Sequence, residues 1–220
     1  MSIAEFQNLE SGQPPVRGFL HSPDRPSGDA LVLTHGAGSN CNSPLLRAFA
    51  GAFCEAGMAV LRIDLPFRQS RAHGPPRGNA ENDQQGLRRA VELMRGEVPK
   101  RVFLGGHSYG GRQASMIAAS IPELADGLLL LSYPLHPPKR PDQMRTAHFP
   151  KLRTPALFLH GTRDGFGTIE EMQGAIALID ARVQLIPITG AGHELMSKSS
   201  KEDLSKSAVQ AFTEFFVSHP

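Results

Sequence analysis

The chain has no tryptophan, and among its 220 residues only two tyrosines and two cysteines. Cys41 and Cys54 are too few for a disulfide framework, and neither stands in a C-x-x-C spacing, so both read as small apolar core residues. Charge of one sign is also lacking: 23 Lys and Arg oppose 21 Asp and Glu. With aromatics at 6%, there is no basic domain studded with stacking platforms, and no nucleic-acid partner is expected. No apolar run approaches the roughly 18 residues of a spanning helix, and residues 1–19 hold no apolar stretch of the secretory type. The expectation is a cytoplasmic protein without a membrane partner. Repeats, low-complexity tracts and a linker-like composition break are absent too, so 1–220 is expected to form one domain.

What is abundant is Gly and Pro, 22 and 18 residues, which implies many turns between short elements. Apolar, β-prone runs stand at 30–34, 58–63, 101–104, 127–132, 155–160 and 183–188, several of them apolar on consecutive positions, as suits strands covered on both faces. Helical spacing occupies 44–55, 79–95, 109–120, 169–179 and 203–217. In the last, Leu204, Ala208, Ala211, Phe212, Phe215 and Phe216 form one face, opposite Lys206, Gln210 and Glu214. Strand and helix alternate, which predicts an α/β fold with a mostly parallel, doubly wound sheet and helices on both faces. Residues 16–20 predict an added antiparallel strand, closed as a hairpin by the turn-rich 24–29. In such a sheet, ligands bind beyond the carboxyl ends of the strands.

The loop after the 101–104 strand reads Gly105-Gly106-His107-Ser108-Tyr109-Gly110-Gly111, a G-x-S-x-G pattern between a strand and a helix. That context suits a serine on a tight turn, where side chains at 106 and 110 would collide with backbone and the helix N-terminus favours negative charge. A serine hydroxyl needs a base to take its proton, and the base needs an acid to hold its tautomer. Asp164 follows the 155–160 strand, and His193 lies in the Gly-rich loop after the last strand. Their order after Ser108 is the one this architecture uses. Asp126 and Asp180 precede strands, His160 is inside one, and His219 is terminal, so none competes well. The backbone N–H groups of Ala37 and Tyr109 are the candidate oxyanion donors; His35 reads as structural.

With H-G-A-G at 35–38, G-H-S-Y-G-G at 106–111, H-G-T-R-D at 160–164 and G-A-G-H at 190–193, the chain resembles the α/β-hydrolase superfamily over about 30–217. It is similar to small bacterial hydrolases related to dienelactone hydrolase. Through Asp64-Leu65-Pro66-Phe67-Arg68 and Gly110-Gly111-Arg112-Gln113-Ala114-Ser115 it particularly resembles a group similar to a testis-expressed protein and to the hydrolase-like domain of a chromatin-complex subunit. The resemblance implies a triad of Ser108, Asp164 and His193, no cofactor and no metal. Dienelactone hydrolase has a cysteine nucleophile where this chain has Ser108, so that activity is not implied. Many relatives carry a helical lid before the acid-bearing strand. Here that connection is the 22 residues 133–154, broken by Pro134, Pro137, Pro138, Pro141 and Pro150, which leaves no room for a cap domain.

Two loops on the expected active-site side are basic: 66–78 carries +3 and 139–153 carries +4. Arg68, Arg71 and Arg112 are candidate rim residues that would steer an anionic acyl substrate; solvated loops without a substrate role would look the same. The expected function is a serine hydrolase cleaving a small soluble ester, thioester or lactone. A non-catalytic hydrolase fold used as an interaction module is the alternative, and transfer to another acyl acceptor would use the same residues.

Overall fold

In the computed structural model, residues 1–77, 80–195 and 201–216 are described. Asn79 and Val217, which bound two expected helices, and Gly78, which ends one basic loop, lie outside them. The parallel core consists of β3 (Ala30–Thr34), β4 (Ala59–Asp64), β5 (Val102–His107), β6 (Leu128–Leu131), β7 (Ala156–Gly161) and β8 (Val183–Ile188). Two further strands, β1 (Ser2–Asn8) and β2 (Val16–Ser22), complete an eight-stranded sheet in the order β1-β2-β4-β3-β5-β6-β7-β8. β1 pairs antiparallel with β2 and β2 with β4; every other pairing is parallel.

Consecutive apolar residues fill both faces because alternate side chains point to opposite sides. Val32, Leu104, Leu130 and Phe158 pack toward α3 (Glu81–Glu97), α4 (Tyr109–Ser120) and α5 (Ile169–Ile176). Leu31, Leu33, Phe103, Leu129 and Leu157 pack toward α1 (Pro44–Glu55) and α6 (Lys201–Phe216). On that side Phe53, Phe103 and Phe216 surround Phe212 at centroid distances of 4.6–5.1 Å. The α1 start is set by Pro44 at its first position and by the Ser43 hydroxyl, which accepts from the Leu46 N–H. Cys41 and Cys54 are both buried and free, as their filler reading expected. Burial pushes the Cys41 thiol up to about 12.

The structure corrects the front of the chain. The expected hairpin of 16–20 with the next strand does not form: both edges of β3 are taken by β4 and β5, so β2 lies beside β4 instead. Strand β1 and the five-residue helix α2 (Pro66–Ser70) were not expected. β1 is mostly exposed, so its sequence carries little of the alternation that would reveal it. The 133–154 connection holds one short 3₁₀ turn, Phe149–Lys151, and no cap. Among the described residues no helix is long and apolar enough to cross a membrane.

Several histidines are folded into the interior without charge. Burial, assisted by Arg62 and Arg47, holds His21 down to about 4, and burial with Arg112 does the same for His148. The unfolded chain protonates both near 6.5, so between that value and about 4 it binds protons that the fold refuses. Stability is therefore full above pH 6.5 and falls as the pH drops through that window. The urea midpoint is expected to decrease between pH 7.5 and pH 5, and His148→Gln is expected to lessen the decrease; a flat profile would contradict this reading.

Candidate active site

β3, β5, β7 and β8 all end at one edge, and the loops beyond them build the site. Ser108 caps α4 with φ 51° and ψ −116°, a left-handed conformation that a non-glycine residue holds only under constraint. The constraint comes from both sides. The Ser108 N–H donates to Leu131 O at 2.8 Å, and its carbonyl accepts from the Arg112 N–H at 2.9 Å. Glycine is required around it: a Cβ on Gly106 would lie 2.6 Å from the Gly111 nitrogen, and one on Gly110 2.5 Å from the His35 carbonyl oxygen.

The structure brings Ser108, His193 and Asp164 into one hydrogen-bonded chain. His193 Nε2 lies 2.7 Å from Ser108 Oγ, and its Nδ1 lies 2.8 and 3.0 Å from the two carboxylate oxygens of Asp164. An ionised carboxylate only accepts, so Nδ1 carries the proton and Nε2 presents its lone pair to the serine hydroxyl. The Asp164 side chain is fully buried. Burial alone would raise its pKa, but the His193 hydrogen bond and charge, the Phe166 N–H at 2.9 Å and nearby His160 outweigh it and hold the carboxyl below its ordinary value.

The imidazole is fixed from three further directions. Phe166 stacks on it at 4.0 Å and 28°, and the His107 ring donates from Nε2 to the His193 carbonyl at 2.9 Å. The two bearing loops are stitched together by Arg163 N–H on Ala191 O and Gly190 N–H on Thr162 Oγ1. Burial lowers the pKa of both His107 and His160. Phe166 and His107 escaped the sequence reading, since neither has a motif of its own beyond adjacency to Asp164 and Ser108.

Ala37 and Tyr109 line the same cavity as Ser108. Tyr109 opens α4, where an N–H has no intrahelical acceptor. The Ala37 N–H shares a peptide plane with the Gly36 carbonyl, which accepts from His35 Nδ1 at 2.8 Å and from the Ser39 N–H at 3.1 Å. In a trans peptide these bonds aim the Ala37 N–H the opposite way. The Leu65 N–H donates to His35 Nε2 at 3.2 Å, which fixes that tautomer. His35 thus orients a backbone donor.

An open cavity of about 640 Å³ lies over Ser108, lined by Ala37, Tyr109, Arg112, Arg145 and Phe166 among others. Of the candidate rim residues, Arg112 lines it and two do not. Arg68 is 6% exposed, and its guanidinium donates to the carbonyls of Ala37, Ser39, Arg71, Ala72 and Gly74 at 2.7–3.2 Å. It is a fastener of the 37–39 loop, held inward by five backbone acceptors. Arg71 faces a neighbouring cleft of about 320 Å³ and bonds to the Pro75 carbonyl. Arg145, on the other basic loop, reaches the cavity unannounced by any motif. Among the described residues no cluster of His, Cys, Asp and Glu is arranged to hold a metal ion.

Residues 27–218 match the family described as alpha/beta hydrolase domain. A curated Mycobacterium tuberculosis protein named "Putative phosphoribosyl transferase" is 26% identical over 220 residues, 98% of this chain but 46% of its own length. The chain therefore spans about half the length of the curated relatives it matches. Among solved structures, dienelactone hydrolase from Anabaena variabilis superposes with a TM-score of 0.76 at 23% identity, covering 97% of this chain and 99% of that one. An alpha-beta serine hydrolase homologue from Coxiella burnetii gives 0.76 at 15% identity, covering 94% and 96%. At these identities the likeness is one of fold.

Removing the buried Arg68 guanidinium takes away the donors that tie five loop carbonyls together. Arg68→Ala is expected to lower unfolding free energy by about 3 kcal/mol, whereas Arg71→Ala changes it by less than about 0.5 kcal/mol. Denaturant titration of the two variants checks the difference, and equal effects would return Arg68 to the surface role first assigned to it.

Proposed function

Because the chain belongs to the alpha/beta-hydrolase family, we propose that it is a serine hydrolase of small esters, thioesters or lactones, with Ser108 as nucleophile, His193 as base and Asp164 as the acid that orients it. The observation that carries this reading is the continuous chain from buried Asp164 through His193 to Ser108 Oγ, at 2.8 and 2.7 Å, ending on a constrained serine at a cavity floor.

Ser108 Oγ attacks the substrate carbonyl carbon as its proton passes to His193 Nε2. The oxyanion that forms is held by the Ala37 and Tyr109 N–H groups. Collapse breaks the bond to the leaving alcohol or thiol, which takes the proton from Nε2. Water then attacks the acyl-serine with His193 again as base, releasing the acid and restoring the hydroxyl. Asp164 stays ionised throughout and favours the imidazolium of each transition state. The absence of a cap and the openness of the cavity favour short acyl groups over long chains.

The narrower likeness, to the group with a testis-expressed protein and a chromatin-complex subunit, rests on the 64–68 and 110–115 stretches. Here those residues support the site: Asp64 accepts from the Cys41 N–H at 2.7 Å, and Arg68 holds the 37–39 loop. The transferase name of the M. tuberculosis relative is not carried over, since it belongs to a protein of which this chain matches under half.

On p-nitrophenyl esters of two to six carbons, the purified protein is expected to prefer the shorter acyl groups. Ser108→Ala and His193→Ala should each lower kcat by about 10⁴-fold or more, and Asp164→Asn by about 10⁴-fold. Turnover that survives Ser108→Ala would remove the reading.

A further inference from the structure

Two guanidinium groups line the cavity over Ser108, and neither has a counter-ion among the described residues. Arg112 stands one helical turn beyond Ser108 on α4. Its side chain makes no hydrogen bond or ion pair with any described residue, and its Nε is buried without a partner. Arg145 comes from the 133–154 connection and is held by its own backbone. Its N–H donates to Leu135 O at 2.8 Å, and the Tyr133 hydroxyl donates to its carbonyl at 2.7 Å. The Arg145 side chain reaches one acceptor, Pro134 O, at a long 3.4 Å.

Among the described residues no carboxylate pairs with either arginine. Tyr109 and Tyr133 are phenols whose pKa burial raises, and His148 is held down to about 4, so it carries no charge near neutrality. Burial, and then Arg112 itself, pulls the Arg145 pKa below its ordinary value, which marks two like charges pressing on each other. The carboxylate that lines the same cavity, Glu194, is exposed beside His193 and pairs with neither arginine. Elsewhere in the chain, arginines of the same basic loops are satisfied: Arg68 by five carbonyls, and Arg153 by Asp180 at 3.4 Å.

Two half-buried guanidinium groups without a counter-charge are costly to keep together, and an oxyanion placed between them removes both the repulsion and the unmet donors. The geometry points to Arg112 and Arg145 as an anion-recognition site for the substrate of Ser108, so that the ester, thioester or lactone it cleaves carries a carboxylate or phosphate. The substrate half of this statement rests on the hydrolase reading above; the anion site itself does not. Arginine forks bind such groups through two parallel hydrogen bonds, which a lysine could not reproduce.

The test compares p-nitrophenyl hexanoate with the p-nitrophenyl half-ester of adipic acid and with a phosphate-terminated ester of matched length. The wild-type protein is expected to show kcat/KM at least about tenfold higher for an anionic ester than for hexanoate at low salt, with the advantage shrinking toward 1 M salt. The better of the two anionic esters identifies the group as carboxylate or phosphate. Arg112→Gln and Arg145→Gln should each lower that ratio about tenfold, while Arg71→Gln in the neighbouring cleft retains it. Equal kcat/KM for charged and neutral esters, or a ratio that survives both Arg→Gln changes, overturns the site and leaves the hydrolase standing. Calorimetry of adipate and of inorganic phosphate against Ser108→Ala reads the site without turnover. Arg112-dependent binding there, with no ester cleaved by the wild type, would keep the anion site and sink the hydrolase; no binding in that case would sink both.

Discussion

A Cβ on Gly110 would sit 2.5 Å from the His35 carbonyl oxygen, and one on Gly106 would strike the first turn of α4; the rest of the site depends on that close approach. Because α4 lies directly against the ends of β3 and β5, Ser108 has no room for an ordinary backbone conformation and takes φ 51°. The same approach brings the first turn of α4 against the 34–35 backbone and Gly36 beside Ser108. A bulkier residue at 106 or 110 would lift the helix off the sheet, and serine, donor and loop would separate together.

Around that contact the fold spends its buried polar groups on orientation. His35 turns the Gly36–Ala37 peptide, Arg68 holds Ala37 O and Ser39 O, and His107 holds the His193 carbonyl. Each is an interior group that would be costly if unpaired. Each is paired to a backbone atom of a loop that carries a candidate functional residue. The aromatic wall of Phe166 completes the arrangement by restricting the imidazole to the plane in which it meets both Asp164 and Ser108. Arg112 and Arg145 stand apart from this pattern, since both line the cavity and neither pairs with a carboxylate among the described residues.

The parallel sheet could be read from the sequence because its strands β3 and β5–β7 are buried on both faces and so are largely apolar at successive positions. Ser108, Asp164 and His193 could be placed at one edge because each follows such a strand in a Gly-rich loop. β1 left no comparable trace, as five of its seven residues are exposed and only Phe6 and Asn8 are partly covered. Arg68 and Arg112 could not be sorted by charge alone. Whether an arginine turns inward to carbonyls or faces a cavity is decided by the backbone of loops distant in sequence. Arg145, His107 and Phe166 belong to the same class: their roles arise from tertiary approach, and no local pattern encodes it.

The central claim is that His193 and Asp164 make Ser108 a nucleophile. Treatment with a fluorophosphonate, followed by intact mass measurement and peptide mapping, tests it most directly. A single adduct is expected on Ser108, absent in Ser108→Ala and formed far more slowly in His193→Ala. No adduct, or an adduct on another serine at the same rate in all three proteins, would contradict it.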